Sequence, residues 1–221
     1  ALRCDPISAF GGTVSCNYKI TQKIAFELKK KFFEVIIANG FDRNALRILK
    51  VKKNLRLIDS SNISFDEIFK SYSINNFTLL QSEDNKLFSK RKFKIVSKRK
   101  PSKSQFDNLI FAFNVCRFVK SNAIVLASNK STVGIGSGQP SRLDSCQIAI
   151  DKMNKFLKYE KDVVAASDAF FPFIDGIEKL VQSGVNGVIQ PAGSIRDKEI
   201  IKFANDTDTV LIFSETRHFR H

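Results

Sequence analysis

The sequence contains few of the residues that build metal sites and none of the long apolar runs that cross membranes. Its 221 residues include two histidines and four cysteines, and the cysteines lie far apart at positions 4, 16, 116 and 146. We therefore expect no zinc cluster, and we expect reduced, mostly buried thiols. No apolar run approaches the length of a bilayer span, and the first residues lack the pattern of a signal peptide. These absences predict a soluble cytoplasmic protein with no membrane partner.

Acidic residues are scarce relative to basic ones. Lys and Arg number 36 against 22 Asp and Glu, which gives a formal charge of +14, and residues 86–103 hold nine basic residues and no acidic one. Such charge is typical of proteins that bind nucleic acid. However, the basic stretch has no interleaved stacking aromatics, and the chain has no finger, homeodomain or ribonucleoprotein signature. We rank solvated surface charge first, an anionic ligand second and nucleic acid third, and we keep a basic nucleic-acid-binding α/β module as the alternative function.

Short apolar runs alternate with helical patterns along most of the chain, and this alternation predicts an α/β fold. Hydrophobic residues make up 43% of the sequence, enough for one large or two small domains. The periodicity predicts helices over residues 20–33, 42–50, 65–71, 104–120, 143–157, 175–183 and 197–205. It predicts strands over residues 34–38, 55–58, 77–81, 93–96, 123–127, 132–135, 163–166, 187–190 and 209–213. The basic stretch at residues 86–103 is a reasonable connection between two lobes. We therefore place the boundary between a lobe of residues 1–100 and a lobe of residues 101–221.

The most informative stretch is residues 120–142, where two short strands lead into a loop that contains Gly134, Gly136 and Gly138. Glycines let the main chain approach a ligand closely, and the following helix points unpaired N–H groups at it, with Ser141 as the expected N-cap. This pattern is typical of an anion site, but a tight turn without a ligand has the same signature. From the glycines alone we favour the turn.

Six motifs, taken in order, resemble the C-terminal half of the PurH family of bifunctional purine-biosynthesis proteins. They lie at residues 5–12 (DPISAFGG), 120–125 (KSNAIV), 133–142 (VGIGSGQPSR), 167–173 (SDAFFPF), 190–194 (QPAGS) and 217–221 (RHFRH). The resemblance covers essentially the whole chain. It implies an α/β fold of three-layer, cytidine-deaminase-like lobes with mixed sheets flanked by helices.

The resemblance is to the transformylase part of that family. It implies formyl transfer from the co-substrate 10-formyltetrahydrofolate to 5-aminoimidazole-4-carboxamide ribonucleotide, in a homodimer whose subunits share active sites. The family's Lys-His-x-Asn-Pro stretch, which carries the catalytic base, and its cyclohydrolase (hydrolase) domain have no counterpart in this sequence. We therefore expect a C-terminal fragment, or one partner of a split protein, that is inactive alone.

The attacking amine is a poor nucleophile, so formyl transfer needs a base that takes its proton. The formyl oxygen becomes an oxyanion, so the reaction also needs a hydrogen-bond donor. The resemblance places Asn122 beside the transferred carbon as a donor; a structural cap is the alternative. It gives His221 a catalytic role only if the C-terminus is folded into the site, whereas a frayed terminus has none.

The resemblance also implies binding residues and a metal site. For the nucleotide it implies Phe10, Glu34, Arg142, Pro172, Arg217 and Phe219. The two guanidinium groups suit phosphate and carboxamide oxygens. For folate it implies Phe170, Phe173 and Asp175, with the Asp175 carboxylate at the amino edge of the pterin. Asp168 is expected at a structural potassium site. The alternatives are ordinary ion pairs for the charged residues and core packing for the phenylalanines.

Overall fold

Strands alternate with helices in the computed structural model, which describes residues 2–64, 69–82, 84, 93–157 and 160–220. The chain divides into two compact units, one formed by Pro6–Glu83 and the other by Ala1–Asp5 with Asp84–His221. We call them the first and the second unit and describe each by itself. None of the helices in the described ranges is long and apolar enough to cross a membrane.

The first unit is built on a parallel sheet of three strands in the order β1-β2-β3. Its elements are β1 (Gly12–Cys16), α1 (Gln22–Lys29), β2 (Phe33–Ala38), α2 (Arg43–Leu49) and β3 (Arg56–Asp59). Their buried apolar side chains form one cluster, centred on Ile20, Ala25, Phe33, Ile36 and Leu49. Apolar residues recur at helical spacing in α1, so Ala25 and Leu28 face this core.

A two-stranded antiparallel hairpin completes the first unit, with strands β4 (Phe69–Ile74) and β5 (Phe77–Ser82). The helix expected over residues 65–71 is wrong at residues 69–71, and residues 65–68 lie outside the described ranges. The reason is the turn at Asn75, which adopts a left-handed φ of 53° that suits a tight hairpin. Local turn chemistry therefore overrides the weak helical pattern before it.

The second unit is built on a mixed sheet of six strands in the order β6-β11-β10-β9-β7-β8. Strands β9, β10 and β11 are parallel, whereas β6, β7 and β8 join them by antiparallel pairing. In chain order the elements are β6 (Phe93–Ile95), α3 (Lys103–Cys116), β7 (Ile124–Ser128), β8 (Ser131–Gly136), α4 (Arg142–Phe156), β9 (Val164–Ser167), α5 (Ile174–Gln182), β10 (Gly187–Pro191), α6 (Asp197–Asp206) and β11 (Val210–Ser214).

Helices cover both faces of this sheet. Alternate residues of β7 face opposite sides, so Val125 and Ala127 join the core beneath α3, while Ile124 and Leu126 join the core shared with α4, α5 and α6. The α/β fold, with a mixed sheet flanked by helices, is confirmed. Its cytidine-deaminase-like layering stays a prediction. Strand β6 precedes residue 100 in the chain and pairs with β11 of the second unit. The lobe boundary expected at residue 100 also stays a prediction.

Two of the three glycines expected in the loop, Gly134 and Gly136, lie in strand β8 and are explained by helix packing. A Cβ atom at Gly134 would lie 2.1 Å from the carbonyl oxygen of Ala149, and one at Gly136 would lie 1.9 Å from that of Ser145. Both carbonyls belong to α4, so the missing side chains allow this helix to lie directly on β8. Ser141 caps α4 as expected, because its hydroxyl accepts from the N–H of Asp144. Close packing of α4 on β8 therefore explains Gly134 and Gly136, and no bound anion is needed to account for them.

Buried cysteines lie on the two faces of the sheet in the second unit. Cys116 and Cys146 are fully buried and free, as is Cys4 at 3% exposure. Burial raises the pKa of the Cys146 thiol to about 12. These thiols therefore contribute packing, in agreement with the expectation of reduced, buried cysteines.

We predict that Gly136→Ala destabilises the protein by at least about 2 kcal/mol, because the new methyl group overlaps the backbone of α4. Urea denaturation followed by circular dichroism measures this loss. Gly12→Ala is the control, since its Cβ would meet only the Ala9 carbonyl oxygen at 3.4 Å. Equal stability of the two variants would contradict the packing role of Gly136.

Candidate functional site

The candidate site lies at one edge of the six-stranded sheet. Strand β7 runs antiparallel to β9, and Ile124 pairs with Ser167. Asn122, two residues before β7, therefore lies close to Asp168, the residue directly after β9. The first residue of α4, Arg142, follows the end of β8, which pairs with the start of β7. Strand pairing thus brings three polar side chains together from distant parts of the sequence.

A pocket of about 480 Å³ opens at this edge. It contains eight of the expected site residues: Asn122, Arg142, Phe170, Pro172, Phe173, Asp175, Arg217 and Phe219. The other lining residues are Pro140, Ser141, Leu143, Ala169, Phe171 and Gly176. A concave pocket with apolar and aromatic walls and a few convergent polar groups is typical of a small-molecule site.

A buried ion pair forms the base of the site. The Nη1 atom of Arg142 donates to the Asp168 carboxylate and, at 2.9 Å, to the hydroxyl of Ser167. The Arg142 side chain is 10% exposed and that of Asp168 is completely buried. The Nη2 atom of Arg142 donates to Oδ1 of Asn122 at 2.8 Å. The guanidinium group therefore joins the end of β9 to the start of β7.

The amide of Asn122 is fully engaged in this arrangement. Its Nδ2 atom donates to the carbonyl oxygens of Gln139 and Pro140, at 2.9 and 2.8 Å. Because an amide nitrogen carries two hydrogens, both are used. This geometry matches the structural cap, which was the alternative for Asn122. The catalytic role implied by the resemblance stays a prediction.

The surroundings of Asp168 do not fit a potassium ion at its side chain. One carboxylate oxygen accepts from Arg142 and the other from the Ser121 hydroxyl at 2.7 Å. The positive charge of Arg142 already balances the carboxylate and would repel a cation placed beside it. Among the described residues, no group of three His, Cys, Asp or Glu side chains is arranged to hold a metal ion.

The loop that follows Asp168 points its phenylalanines in two directions. Phe171 is buried, and its ring packs so closely on Gly176 that a Cβ there would lie 2.7 Å from it. The Phe171 N–H donates to Oε1 of the buried Gln190 at 3.2 Å. These contacts hold the loop against the buried core, and the neighbouring Phe170 and Phe173 line the pocket. Neither Phe171 nor Gln190 was among the expected site residues, although both lie in the motifs.

Two arginines lie against these rings. The guanidinium carbon of Arg217 is 4.9 Å from the centroid of Phe170 and 5.9 Å from that of Phe219. On the other side, the guanidinium carbon of Arg196 is 4.9 Å from the centroid of Phe173. The pocket therefore combines flat apolar surfaces with positive charge at its rim.

Asp175 stands in the first turn of α5 and is exposed. Its Oδ1 atom accepts from the N–H of Gly176 at 2.7 Å. Acidic side chains are stabilised at this end of a helix by the unpaired N–H groups. The carboxylate is thus held at the pocket wall, and the folate role that the resemblance implies for it stays a prediction.

Residues 217–220, which we call the C-terminal segment, pass beside the pocket. The N–H of His218 donates to the carbonyl oxygen of Asp168 at 2.9 Å, and the N–H of Ser121 donates to that of Arg220 at 2.8 Å. The His218 ring is buried, lies 4.5 Å from the ring of Phe113 and contacts the Asp84 carboxylate. Burial lowers the pKa of His218, although Asp84 opposes the shift. His221 lies outside the described residues, so its catalytic role stays a prediction.

Two further expected site residues belong to the first unit. Phe10 is 78% exposed, with its ring 5.0 Å from that of Phe32. Glu34 lies on β2 with its side chain exposed. The nucleotide roles of Phe10 and Glu34 stay predictions.

Comparison with known proteins decides the family. A model of the AICARFT/IMPCHase bienzyme family matches residues 1–152. The chain belongs to this family. It is 44% identical over 221 residues to the bifunctional purine biosynthesis protein PurH of Aquifex aeolicus, covering 100% of this chain and 43% of that protein. It is 44% identical over 218 residues to PurH of Caldicellulosiruptor bescii, with 98% and 42% covered, and 42% identical over 224 residues to PurH of Leptospira biflexa (strain Patoc 1 / Ames), with 100% and 43% covered.

The chain therefore spans less than half the length of the family members that it matches. The resemblance identified from the six motifs is confirmed over the whole chain. The AICARFT/IMPCHase family is a family of bienzymes, so family membership alone does not say which activity this chain carries.

We predict that Arg142→Leu destabilises the protein by about 3–5 kcal/mol, because it leaves the buried Asp168 carboxylate without its counter-charge. Thermal and urea unfolding give the loss. Arg196→Leu serves as the control: its ion pair with Glu199 is about half exposed, with side chains 48% and 56% accessible. We expect that change to cost less than about 1 kcal/mol. Similar losses in the two variants would contradict the central role of the Arg142–Asp168 pair.

Proposed function

We propose that this chain supplies folate- and nucleotide-binding parts of a formyltransferase of purine biosynthesis. The reaction moves a formyl group from 10-formyltetrahydrofolate to 5-aminoimidazole-4-carboxamide ribonucleotide in the cytoplasm, in a homodimer with shared active sites. The observation that carries the proposal is the convergence of Asn122, Arg142, Asp175 and Arg217 with four phenylalanines around one pocket. Family membership favours this function over the nucleic-acid-binding alternative.

The aromatic wall suits the pterin ring of a folate. Phe170 and Phe173 offer flat apolar surface, and the pocket volume of about 480 Å³ is within the range of small-molecule sites. The exposed Asp175 carboxylate accepts hydrogen bonds, and the amino edge of a pterin donates them. We therefore assign the pterin to this side of the pocket, with Asp175 at its edge.

Arg217 is better suited than Arg142 to meet an anionic group. The Arg142 charge is balanced by Asp168, and its side chain is 10% exposed. Arg217 is exposed and lies against Phe170 and Phe219, which order its side chain without neutralising it. We assign phosphate or carboxamide oxygens of the nucleotide to Arg217, with Phe219 and Pro172 beside it. In this proposal Arg142 holds Asn122 and Asp168 in place.

Asn122 can serve as an oxyanion donor only by exchanging a partner. Both of its N–H bonds point to carbonyl oxygens, those of Gln139 and Pro140. We propose that the formyl oxygen replaces one of these carbonyls as negative charge develops, while Arg142 holds Oδ1 and so fixes the amide plane. The proton acceptor, in this proposal, comes from the Lys-His motif of the longer family proteins, and the chain is inactive without it.

The proposal predicts that a folate probe, 5-formyltetrahydrofolate, raises the melting temperature of the chain, since a ligand at 100 times its Kd stabilises the folded state by about 2.7 kcal/mol. Phe170→Ala removes one aromatic wall and reduces the affinity at least about tenfold. Phe26→Ala, at a 49% exposed position on α1, is the control and leaves binding unchanged.

Absence of any shift with folate or nucleotide at millimolar concentration would overturn the proposed function. So would specific RNA binding that persists at high salt, because charge alone gives only salt-sensitive binding. Formyl transfer by the chain alone would contradict the assignment of the base to the Lys-His motif.

We also predict that Asn122→Ala, made in a family protein that carries the Lys-His motif, lowers kcat about 100-fold with little change in either KM. An oxyanion donor acts mainly in the transition state, and the loss of one such donor has an effect of that size. Steady-state kinetics at saturating substrates measure it, with Ser137→Ala as the control. An unchanged kcat would leave Asn122 only as the cap seen in the structure.

A further inference from the structure

We infer that Ser121 is the positioning residue that holds the C-terminal segment in register beside the pocket. Its hydroxyl donates to Oδ2 of Asp168 at 2.7 Å and accepts from the N–H of Arg220 at 3.1 Å. Its own N–H donates to the carbonyl oxygen of Arg220 at 2.8 Å. Ser121 and Arg220 therefore exchange two hydrogen bonds, and the same hydroxyl reaches the buried ion pair.

The alternation of the C-terminal segment explains why this attachment matters for the pocket. His218 is 1% exposed and points inward, and its N–H is bound to the carbonyl of Asp168. Arg217 and Phe219, on either side of it, are exposed and line the pocket. In an extended chain, alternate side chains point to opposite sides. Fixing the main chain at residues 218 and 220 therefore fixes the direction of Arg217 and Phe219.

Ser121 is the attachment that links the segment to the carboxylate of the buried ion pair. Asp168 is reached by Arg142 on one oxygen and by Ser121 on the other, so the Ser121 hydroxyl is oriented by a buried, charged acceptor. A second contact, from Nη1 of Arg220 to the Phe118 carbonyl at 3.2 Å, lies on the exposed surface. The ion pair under the pocket and the segment beside it are thus joined by the Ser121 hydroxyl, in addition to the main-chain bond from His218 to Asp168.

Amide hydrogen exchange, measured residue by residue by NMR, tests this inference without any ligand. In Ser121→Ala we expect the Arg220 amide to exchange about tenfold faster, because it loses its acceptor. Exchange at core amides of β10 and β11 should stay close to that of the wild type. Ser121→Thr keeps the hydroxyl and should restore slow exchange at Arg220. Ser137→Ala is the matched control, because the Ser137 hydroxyl donates to the Lys120 carbonyl and not to Arg220.

A second variant covers the case in which Ser121→Ala unfolds the protein by leaving Asp168 short of a donor. Arg220→Pro removes the same hydrogen bond from its other end and keeps the bond between Ser121 and Asp168. We expect faster exchange of the His218 amide in this variant, again about tenfold. Unchanged exchange at residue 220 in a folded Ser121→Ala, or at residue 218 in Arg220→Pro, would overturn the inference. An equal rise throughout the core would overturn it as well.

The consequence for binding rests on the proposed function. Ser121→Ala should weaken binding of 5-aminoimidazole-4-carboxamide ribonucleotide, the ligand assigned to Arg217, about tenfold, whereas in an Arg217→Ala background the same change should have no further effect. Additive losses would show that Ser121 does not act through Arg217. If the wild-type chain binds no folate, the proposed function fails while hydrogen exchange still decides the role of Ser121.

Discussion

The pocket depends on the buried pair of Arg142 and Asp168. A carboxylate with no exposed surface is tolerated only when charge and hydrogen bonds compensate it. Arg142 and the Ser121 hydroxyl do so together, and each is attached to another wall of the pocket: Arg142 to Asn122, and Ser121 to the C-terminal segment. Asn122 and Ser121 are therefore part of one hydrogen-bond network whose centre is this ion pair.

The glycines of β8 make that pair possible. Arg142 is the first residue of α4, and the helix reaches the sheet edge only because Gly134 and Gly136 leave space for its backbone. The loop first considered as an anion-binding element thus acts through the absence of side chains. A similar packing constraint operates at Gly176, where the Phe171 ring occupies the space of a side chain and fixes the aromatic loop.

Much of the fold was predictable from local patterns. Short apolar runs located all six strands of the second unit, and the hydroxyl of Ser141 marked the start of α4. The prediction failed at residues 69–71, where the Asn75 turn imposes a hairpin on a weakly helical stretch. Strand β1 was not predicted, because its residues are only half buried and carry little apolar periodicity. Family motifs located eight residues of the pocket, which periodicity alone does not connect.

The sequence by itself determined the α/β pattern, the family and the residues from which the site is made. Only the tertiary structure decided what those residues do to each other. The antiparallel pairing of β7 with β9 places Asn122 beside Asp168, and burial then makes Arg142 a partner of that carboxylate. The tertiary structure also shows the Asn122 amide bound to two carbonyls and the Ser121 hydroxyl bound to the C-terminal segment. These relations join residues far apart in the chain, and the register of long-range pairing is not encoded in local periodicity.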